Sequence, residues 1–473
     1  MLFALILIPL LAAVGILLGA PARKTALGAA LLNIILTAVV ASKGVCSCWN
    51  TGFQVLESPN INLSLGIYDG MSLVMLILSV IVTLAAVYSG KCPEGREKLW
   101  FSSTLLIAAG AIGAFISTDI FFFYAFHELA LIPTFLMIGI LGSGDRKEAA
   151  WKITIYLAFG SIVLLAGLLL TVGQIGGFAF SDLKPIADLE TQNHVALLLI
   201  IGFGTLVSLF PLHSWAAPAY ASAPAPVSML HAGVLKKFGL YGILRVAMVV
   251  APEGMANYLP WLCVLLLGNI IWVGLVTLNQ KRLDLMLGNS SVMHMGYIFL
   301  AIAALSANGD NEIAQPAAVL LMFAHGISIA LLFSLSAVIE RKTGSLELSQ
   351  LGGLAKTAPA LAFIFGLAGM ASIGLPGLAN FAGEVMVFFA GFADWKPAEG
   401  LGWVQITTII ALWGVVLSAV YMLRAYRNIF QGPLVRDTEK ATDLHICEKI
   451  PAYLLAATLL VVGVYPHILL QFL

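Results

Sequence analysis

The chain has 473 residues, of which 60% are hydrophobic and 10% are charged, whereas soluble domains contain about 25% charged residues. This composition excludes an ordinary soluble domain and predicts an integral membrane protein with several spans. Lys+Arg and Asp+Glu both number 24, so no net charge favours nucleic acid or an acidic partner.

Apolar stretches of spanning length follow each other along the whole chain. A membrane-spanning helix needs about 20 apolar residues. The stretches are 1–18, 24–42, 69–90, 98–117, 119–142, 149–173, 193–210, 225–249, 258–278, 282–305, 316–340, 357–376, 377–394, 405–430 and 450–470. Since the first stretch is itself long enough to span, no cleavable signal is expected. With 193–210 and 225–249 taken as halves of one helix, the sequence predicts an all-α polytopic protein of about fourteen spanning helices.

The cysteines give no sign of a metal site. Cys46 and Cys48 are separated by one residue, which is closer than the spacing of an ordinary disulfide framework. We therefore predict that both are free thiols.

Glu128 is an acidic residue in the middle of the apolar stretch 119–142. A charge at the bilayer centre costs about 2.5–3.5 kcal/mol on insertion scales, so such residues usually mark a pathway or a partner. Burial raises the pKa of a carboxylate and lowers that of a lysine, while proximity keeps both charged. A Glu–Lys pair whose separation can change can therefore control whether the lysine keeps or releases its proton. A static ion pair between two helices is the simpler alternative.

Two interruptions rich in glycine and proline each lead into a helix with an ionisable residue. The first, around Phe210-Pro-Leu-His213, precedes Lys236 and Lys237, which point about 100° apart on a helix. The second, from Gly374 to Gly383, precedes Glu384. Because unpaired backbone groups at such breaks cannot face lipid, water or protein must cover them.

Several other polar residues lie in or near the apolar stretches. His325 is central in 316–340, and its unperturbed pKa of about 6.5 suits a proton relay as well as a packing role. Lys152 lies near the start of its helix, and we expect it to extend towards the membrane interface. For His213, His231 and His294 a packing role is the first interpretation. No metal-ligand spacing, phosphate-binding loop or catalytic serine motif is found, and the chain shows no redox chemistry of its own.

The two interruptions, one in each half, are typical of inverted repeats with a polar path at the membrane midplane. We predict two five-helix repeats at 98–278 and 282–430, each with a discontinuous helix. The flanking regions would be 1–97, with N-terminal spanning helices, and 431–473, with a loop and the last helix.

Lys and Arg are unequally divided between the two sets of alternating loops. The richer set comprises 19–23, 91–97, 143–148, 246–257 and 431–449. The other set carries Lys43, Lys184, Lys281, Arg282, Arg341, Lys342, Lys356 and Lys396. Because basic loops stay in the cytoplasm, we predict that both termini lie outside it.

These motifs together resemble the antiporter-like membrane subunits of respiratory complex I (NADH-quinone oxidoreductase). The matching segments are Asp119 to Pro133 with Glu128, Lys152-Ile-Thr-Ile-Tyr156, Phe210-Pro-Leu-His-Ser-Trp215, Gly233-Val-Leu-Lys-Lys237, Ser290 to Gly296 and Ala324-His-Gly326. Alignment on Tyr241-Gly242 identifies Lys237 as the key lysine of the family. The glutamate at 384 resembles the M-type subunit, because the L-type and N-type subunits and the Mrp antiporter subunits usually carry lysine there.

The chain departs from the family pattern at two positions. The family usually has a lysine ten residues before the histidine of its Ser-x-Ser-His-Met-Gly segment, and here that position is Asp284. We expect that Lys281 or Arg282 substitutes for it, or that the central relay depends more on water and His325. The second departure is Tyr220, where the family usually has histidine.

The resemblance implies a proton-translocating subunit in the membrane arm of a complex I-type NADH (or ferredoxin):quinone oxidoreductase, in respiratory or photosynthetic electron transport. Its proton relay would be Glu128, Lys237, His325 and Glu384. Quinone, iron–sulfur clusters and, where NADH is the donor, FMN would be bound by other subunits. The partners would be L-type and N-type antiporter-like subunits and lipid, in an energy-converting membrane such as the bacterial cytoplasmic membrane.

Two alternatives remain open from the sequence. The chain could be a subunit of a Mrp-type Na⁺/H⁺ antiporter or of a membrane-bound hydrogenase that uses the same relay. It could also be an independent transporter of organic solutes, although no set of polar residues indicates a solute cavity beyond the proton path.

Overall fold

The computed structural model describes residues 1–57 and 59–473, and it is predominantly helical. The helices of the first half are α1 (Leu2–Leu18), α2 (Ala22–Lys43), α3 (Gly70–Tyr88), α4 (Glu97–Ile116), α5 (Ile120–Leu141), α6 (Arg146–Ile175), α7 (Leu189–Val207) and the short α8 (Ala216–Ser222). The next are α9 (Ala225 to Val250), α10 (Leu259–Leu278), α11 (Leu283–Ala307), α12 (Ala314–Thr343), α13 (Pro359–Ile373), α14 (Ala379–Ala390), α15 (Trp403–Phe430) and α16 (Ile446–Val464). An antiparallel hairpin, β1 (Thr51–Leu56) and β2 (Ile61–Leu65), follows α2.

Two pairs of these helices each make one discontinuous span. The helix α7 is followed by the short helix α8, and the helices α13 and α14 have 15 and 12 residues. Neither of the last two reaches the roughly 20 residues that cross a bilayer. Counting each pair once gives fourteen spans in the described chain, which confirms the predicted number and the all-α polytopic class.

The assignment of helix halves differs from the sequence prediction. The segments from Ala225–Leu230 to Met248–Val250 follow each other without a break, so α9 is about 39 Å long at 1.5 Å per residue. It is a complete span and not the second half of α7. The apolar stretches 357–376 and 377–394, predicted as two spans, are instead the two halves of one.

The first break is held together by Asn269 of α10. Its amide nitrogen donates to the carbonyls of Ser208 (3.0 Å) and Val292 (2.9 Å), and its oxygen accepts from Phe210 N–H at 2.7 Å. Ser208 has a left-handed backbone with φ 71°. Protein groups therefore cover the exposed backbone of the break, as membrane burial requires.

The second break is covered in a similar way. His294 Nε2 of α11 lies 2.8 Å from the carbonyl of Ser372 at the end of α13. Gly374 follows with φ 83° and Gly377 with φ 88°, a conformation that glycine adopts without steric cost. Each break is thus bonded to a buried polar side chain of a neighbouring helix.

The two halves of the membrane domain repeat one order of helices in opposite orientation. In each half the third helix has 30 residues (α6 and α12) and the fourth span is the broken one. In the described chain the predicted range 98–278 contains six of these spans and 282–430 contains four, because α9 is a complete span. We propose that the two repeats of five spans are 97–250 and 259–430.

The same reassignment moves several loops to the other membrane face. We call the face with both termini the terminal face and the opposite one the basic face. Loop contacts join 279–282 to 344–358 and 344–358 to 431–445 on the basic face. Lys281, Arg282, Arg341, Lys342 and Lys356 therefore lie on the same face as Lys91 and Arg146, contrary to the prediction.

The corrected topology makes the division of basic residues sharper. In the described loops and helix ends of the terminal face, the basic residues are Lys43, Lys184 and Lys396. Arg245, predicted at a loop edge, lies inside α9 and is buried against Asp69, at 2.5 Å between Nη2 and Oδ1. Cys46 and Cys48, predicted as free thiols, form a disulfide in the loop after α2.

Candidate functional site: a buried polar chain between the two broken helices

The centre of the molecule contains two adjacent, fully buried lysines on α9. Lys237 Nζ donates to the carbonyl of Ala232 at 2.6 Å and lies 2.9 Å from His325 Nδ1 of α12. Lys236 Nζ lies 3.4 Å from Ser291 Oγ and 5.3 Å from the ring centre of Tyr220. The two lysines therefore face different partners, as the 100° step of a helix requires.

A π-helical turn, His231–Leu235, precedes these lysines. Such turns insert one extra residue into a helix and are frequent at functional sites. Here the turn contains Ala232, whose carbonyl is the acceptor for the Lys237 ammonium group. The local backbone thus supplies one of the two partners that hold Lys237 in the protein interior.

A pair of histidines continues the polar chain from Lys237. The ring centres of His325 and His294 are 5.7 Å apart. His294 contacts the carbonyl of Ser290 through Nδ1 and that of Ser372 through Nε2, both at 2.8 Å. The chain therefore runs from α9 through α12 and α11 to the second break.

Glu384, on α14, lies at the far end of this chain. Its side chain is buried, and Oε2 packs against Gly374 of the second break. Near the same end, Tyr421 is buried and its hydroxyl lies 2.7 Å from Ser290 Oγ. Polar groups of three helices thus surround the path between His294 and Glu384.

Several buried polar atoms along this chain have no hydrogen-bond partner among the described residues. They are His231 Nε2, His325 Nε2, Asn380 Oδ1, Tyr297 Oη and Glu384 Oε1. Buried polar groups are almost always hydrogen-bonded, to protein or to ordered water. These atoms are therefore points at which the interior can bind water.

Glu128 lies at the edge of the domain, and no described contact joins it to Lys237. Its side chain is 36% exposed, accepts a 2.5 Å hydrogen bond from Ser161 Oγ and lies 3.6 Å from His127 Nδ1. It lines a cavity of about 290 Å³ between α5 and α6. Among the described residues Glu128 and Lys237 therefore form no static ion pair, which was the alternative to a pair of variable separation.

His127 points inwards where its neighbour points outwards. Its ring is buried and stacks on Phe238 of α9, with ring centres 4.1 Å apart. Phe238 directly follows Lys237 in the chain. His127 and Phe238 thus form one of the packing contacts between the Glu128 helix and the lysine helix, beside Phe123 on Phe238 at 4.2 Å between ring centres, and the sequence reasoning missed it.

The remaining candidate residues lie near the basic face. Lys152 is half-buried and lines a cavity of about 330 Å³ together with Arg282. Lys281 is exposed, and Arg282 forms a two-pronged ion pair with Asp284, at 3.2 and 2.7 Å. His231 contacts the hydroxyl of Tyr220 at 3.3 Å. No cluster of metal-binding type is found among the described residues.

The family of this chain follows from comparison with known proteins. The family model described as "NADH:quinone oxidoreductase/Mrp antiporter, TM" matches residues 117–423. An NAD(P)H-quinone oxidoreductase chain 4 of Picosynechococcus sp. is 33% identical, over 97% of this chain and 88% of the relative. Another chain 4, of Synechococcus sp., is 32% identical over 99% and 90%.

Solved structures share the same fold. A chain of respiratory complex I from Thermus thermophilus with bound NADH matches with a TM-score of 0.88 and 25% identity, over 100% of this chain and 98% of that one. A chain of the Mrp complex from Dietzia sp. matches with a TM-score of 0.84 and 22% identity, over 99% and 95%. The second match concerns the fold alone.

The fold and the buried polar chain define an antiporter-like membrane subunit, which confirms the resemblance seen in the sequence motifs. The chain belongs to the NADH:quinone oxidoreductase/Mrp antiporter family of membrane subunits. Its relatives named above are subunits of NAD(P)H-quinone oxidoreductases, which are multi-subunit enzymes.

Proposed function

We propose that this chain moves protons through the membrane arm of a complex I-type NADH (or ferredoxin):quinone oxidoreductase. The observation that carries the proposal is the contact between the buried Lys237 ammonium group and His325, which continues through His294 to the second broken helix. Charged groups are retained at such depth for function. The redox chemistry belongs to other subunits, which hold the quinone and the iron–sulfur clusters.

The relay consists of Glu128, Lys237, His325 and Glu384. Lys237 gives its proton to His325, and Glu384 receives it beyond the second break. Because Glu128 does not touch Lys237, its charge acts on the lysine over a distance, across the contact between His127 and Phe238. In a low-dielectric interior such action remains effective, whereas bulk water would weaken it.

Two observations support one of the two expectations for Asp284, the position at which a lysine was expected from the resemblance. Lys281 is exposed, and Arg282 is held by Asp284 at the start of α11. Neither side chain extends to the centre of the membrane domain. The direct contact between Lys237 and His325 instead supports a central relay that uses histidine and water.

The chain would be assembled with L-type and N-type antiporter-like subunits in an energy-converting membrane, such as the bacterial cytoplasmic membrane. The basic face would be cytoplasmic and both termini outside, because nearly all basic loop residues lie on that face. A disulfide at Cys46 and Cys48, on the terminal face, agrees with an oxidising compartment there.

A Mrp-type Na⁺/H⁺ antiporter subunit is the second candidate. The family model covers both groups of proteins, and the Dietzia sp. chain has the same fold. We favour the quinone oxidoreductase because the chain 4 relatives cover almost the whole length. Sodium dependence of transport would favour the antiporter instead.

The proposal is tested by Lys237→Ala in the assembled complex, reconstituted into sealed vesicles. The number of protons moved per electron should fall, because the first buried base is removed, while electron transfer to quinone continues. Lys440→Ala, at an exposed lysine of the basic face, is the matched control. A wild-type proton-to-electron ratio in Lys237→Ala would reject the role of this residue.

A further inference from the structure

A third buried cation lies on α9 beyond the two lysines, and the proposed relay does not use it. Arg245 follows Lys237 by eight residues, which places it about 12 Å further along the helix at 1.5 Å per residue. The end of α9 is joined to a loop of the terminal face, because Ile186 N–H donates to the Val250 carbonyl at 2.9 Å. Arg245 therefore lies between the lysines and the terminal face. A guanidinium group keeps its proton in proteins, so this charge is permanent.

Polar groups lead from the lysines towards the same place. Tyr241 comes one helical turn after Lys237 and so shares its face of α9. The hydroxyl of Tyr241 lies 2.9 Å from Ser72 Oγ of α3. Ser72 N–H donates in turn to Asp69 Oδ1 at 3.0 Å, and the Asp69 side chain is 30% exposed. This line of polar groups reaches the terminal face without passing the second broken helix, so a proton that followed it would escape the relay.

Arg245 stands at the outer end of this line. Its Nη2 lies 2.5 Å from Asp69 Oδ1, and its side chain is only 9% exposed. The guanidinium carbon lies 4.4, 5.8 and 5.3 Å from the ring centres of Tyr68, Phe180 and Tyr241. Cations are stabilised over aromatic rings at such distances. Arg245 Nε is buried and has no hydrogen-bond partner among the described residues, so aromatic rings take the place of water around much of the cation.

Further aromatic contacts seal the surroundings of this cation. On the outer side, the Tyr68 hydroxyl donates to the Phe180 carbonyl at 3.4 Å, and the two rings meet edge to face. On the inner side, Phe115 and Phe123 pack against Tyr241, with ring centres 5.4 and 5.6 Å apart from it. Such packing lowers the local dielectric constant, and a charge acts more strongly there than in water.

We propose that Arg245 is an electrostatic barrier, which prevents protons of the buried lysines from leaving directly to the terminal face. This inference rests on the proposed function and adds the residue that keeps protons on the histidine chain. A fixed positive charge repels an approaching proton, and membrane pores use arginine in this way to exclude protons and cations. Asp69 cancels this field only in part, because it lies on the more exposed side of the pair, where water and salt screen its charge.

The size of the barrier follows from Coulomb's law. At about 12 Å and an effective dielectric constant of about 20, two positive charges repel each other by about 1.4 kcal/mol, which is a factor of ten in rate. A proton that has passed Tyr241 is closer to Arg245 than Lys237 is. Tenfold is therefore the smallest effect that we expect when the charge is removed.

The test is Arg245→Gln, which keeps a hydrogen-bond donor for Asp69 and removes the charge. The intact complex is reconstituted into sealed vesicles without electron donor, a pH gradient is imposed, and the membrane potential is clamped with valinomycin and potassium. A trapped pH-sensitive dye then reports passive proton flow. The flow should rise at least tenfold in Arg245→Gln and stay at the wild-type rate in Arg245→Lys, which keeps the charge. Arg427→Gln, the same change at an exposed arginine of α15, is the matched control and should not leak.

The variant Asp69→Asn separates the charge from the fold. Asparagine still caps the start of α3 and breaks the ion pair, but it leaves the positive charge of Arg245 in place, so passive flow should not rise. Equal leaks in Asp69→Asn and Arg245→Gln would show that the ion pair only holds the helices together, and would overturn the barrier. If Arg245→Gln does not assemble, the double variant with Asp69→Asn has no unpaired charge and should leak in its place.

The source of the leak is tested by combining Arg245→Gln with Lys237→Ala. Passive flow should return towards the wild-type rate, because the lysine that supplies the protons is absent, and a leak that persists would contradict the route. The two proposals can fail separately. Wild-type passive flow in Arg245→Gln, with fewer protons moved per electron in Lys237→Ala, would reject the barrier and leave the proposed function standing.

Discussion

Gly374 allows Glu384 to be displaced without a change in any titratable group. Its backbone has φ 83°, and a Cβ at this position would overlap Glu384 Oε2. In Gly374→Ala the carboxylate must therefore move away from the end of the polar chain. The left-handed conformation itself should cost about 1–2 kcal/mol in any residue with a Cβ.

Gly377 supplies the matched control. Its φ is 88°, and no atom lies within 4 Å of a Cβ built there. Gly377→Ala should therefore lose the same stability, about 1–2 kcal/mol, without moving Glu384. Because the two glycines share the backbone strain, the difference between the variants isolates the displacement of the carboxylate.

The assay compares thermal stability and proton-to-electron ratio of the two variants in the reconstituted complex. Both variants should show a similar decrease in melting temperature. Only Gly374→Ala should move fewer protons per electron. Equal ratios in the two variants would show that the position of Glu384 does not matter, and would refute its assignment as the terminal proton acceptor.

Three further predictions concern stability. Asn269→Leu should destabilise the assembled complex by about 2–6 kcal/mol, because Phe210 N–H and the Ser208 carbonyl each lose a buried hydrogen-bond partner, at about 1–3 kcal/mol each. The control is Asn279→Leu, since the Asn279 amide donates to one exposed carbonyl, and its melting temperature should change little. Equal decreases in melting temperature in the two variants would argue against the role of Asn269. Pro9 has no N–H, so the Leu5 carbonyl lacks its usual donor within the helix, and the Asn33 side chain donates to it instead at 3.0 Å. Asn33→Leu removes this hydrogen bond and should lower the melting temperature. An unchanged melting temperature would contradict this. Burial raises the pKa of Asp443 in the loop before α16, but hydrogen bonds from Ala360, Leu444 and Leu361 N–H and the nearby Lys449 outweigh it, so the pKa lies below its usual 3.8. The ionised carboxylate therefore stabilises the fold above about pH 4, and this contribution is lost as the pH falls through the lowered pKa; Asp443→Asn should be less stable than wild type at pH 7 and similar to it under strongly acidic conditions, and a pH-independent difference would contradict the assignment.

The sequence alone was enough to predict the fold class and to single out Lys237, His325 and Glu384, which the structure places in the buried polar chain. Apolar stretches define spans by length alone, and an ionisable residue within one is conspicuous. The course of α9 could not be predicted, because the prolines before it resemble a break inside a span, whereas the break is completed by α8. That single misassignment reversed the predicted side of Lys281, Arg282 and Arg341.

Contacts between distant segments were also beyond sequence reasoning. Glu128 and His127 are neighbours, but which of them faces α9 depends on how α5 packs, and the structure turns the histidine inwards. No sequence motif around Asn269 predicts its hydrogen bonds to Phe210 N–H and the Ser208 carbonyl at the first break. The cavity of about 310 Å³ that Tyr220 and Asp284 both line could not be predicted, because the two residues are 64 positions apart in the sequence.

The central claim is that protons pass from Lys237 to His325. The most direct test is the proton-to-electron ratio of the reconstituted complex with His325→Gln, since glutamine can accept the hydrogen bond from Lys237 but cannot take up its proton. The account predicts an assembled complex that transfers electrons and moves fewer protons per electron than wild type. A ratio equal to that of the unaltered complex would contradict it.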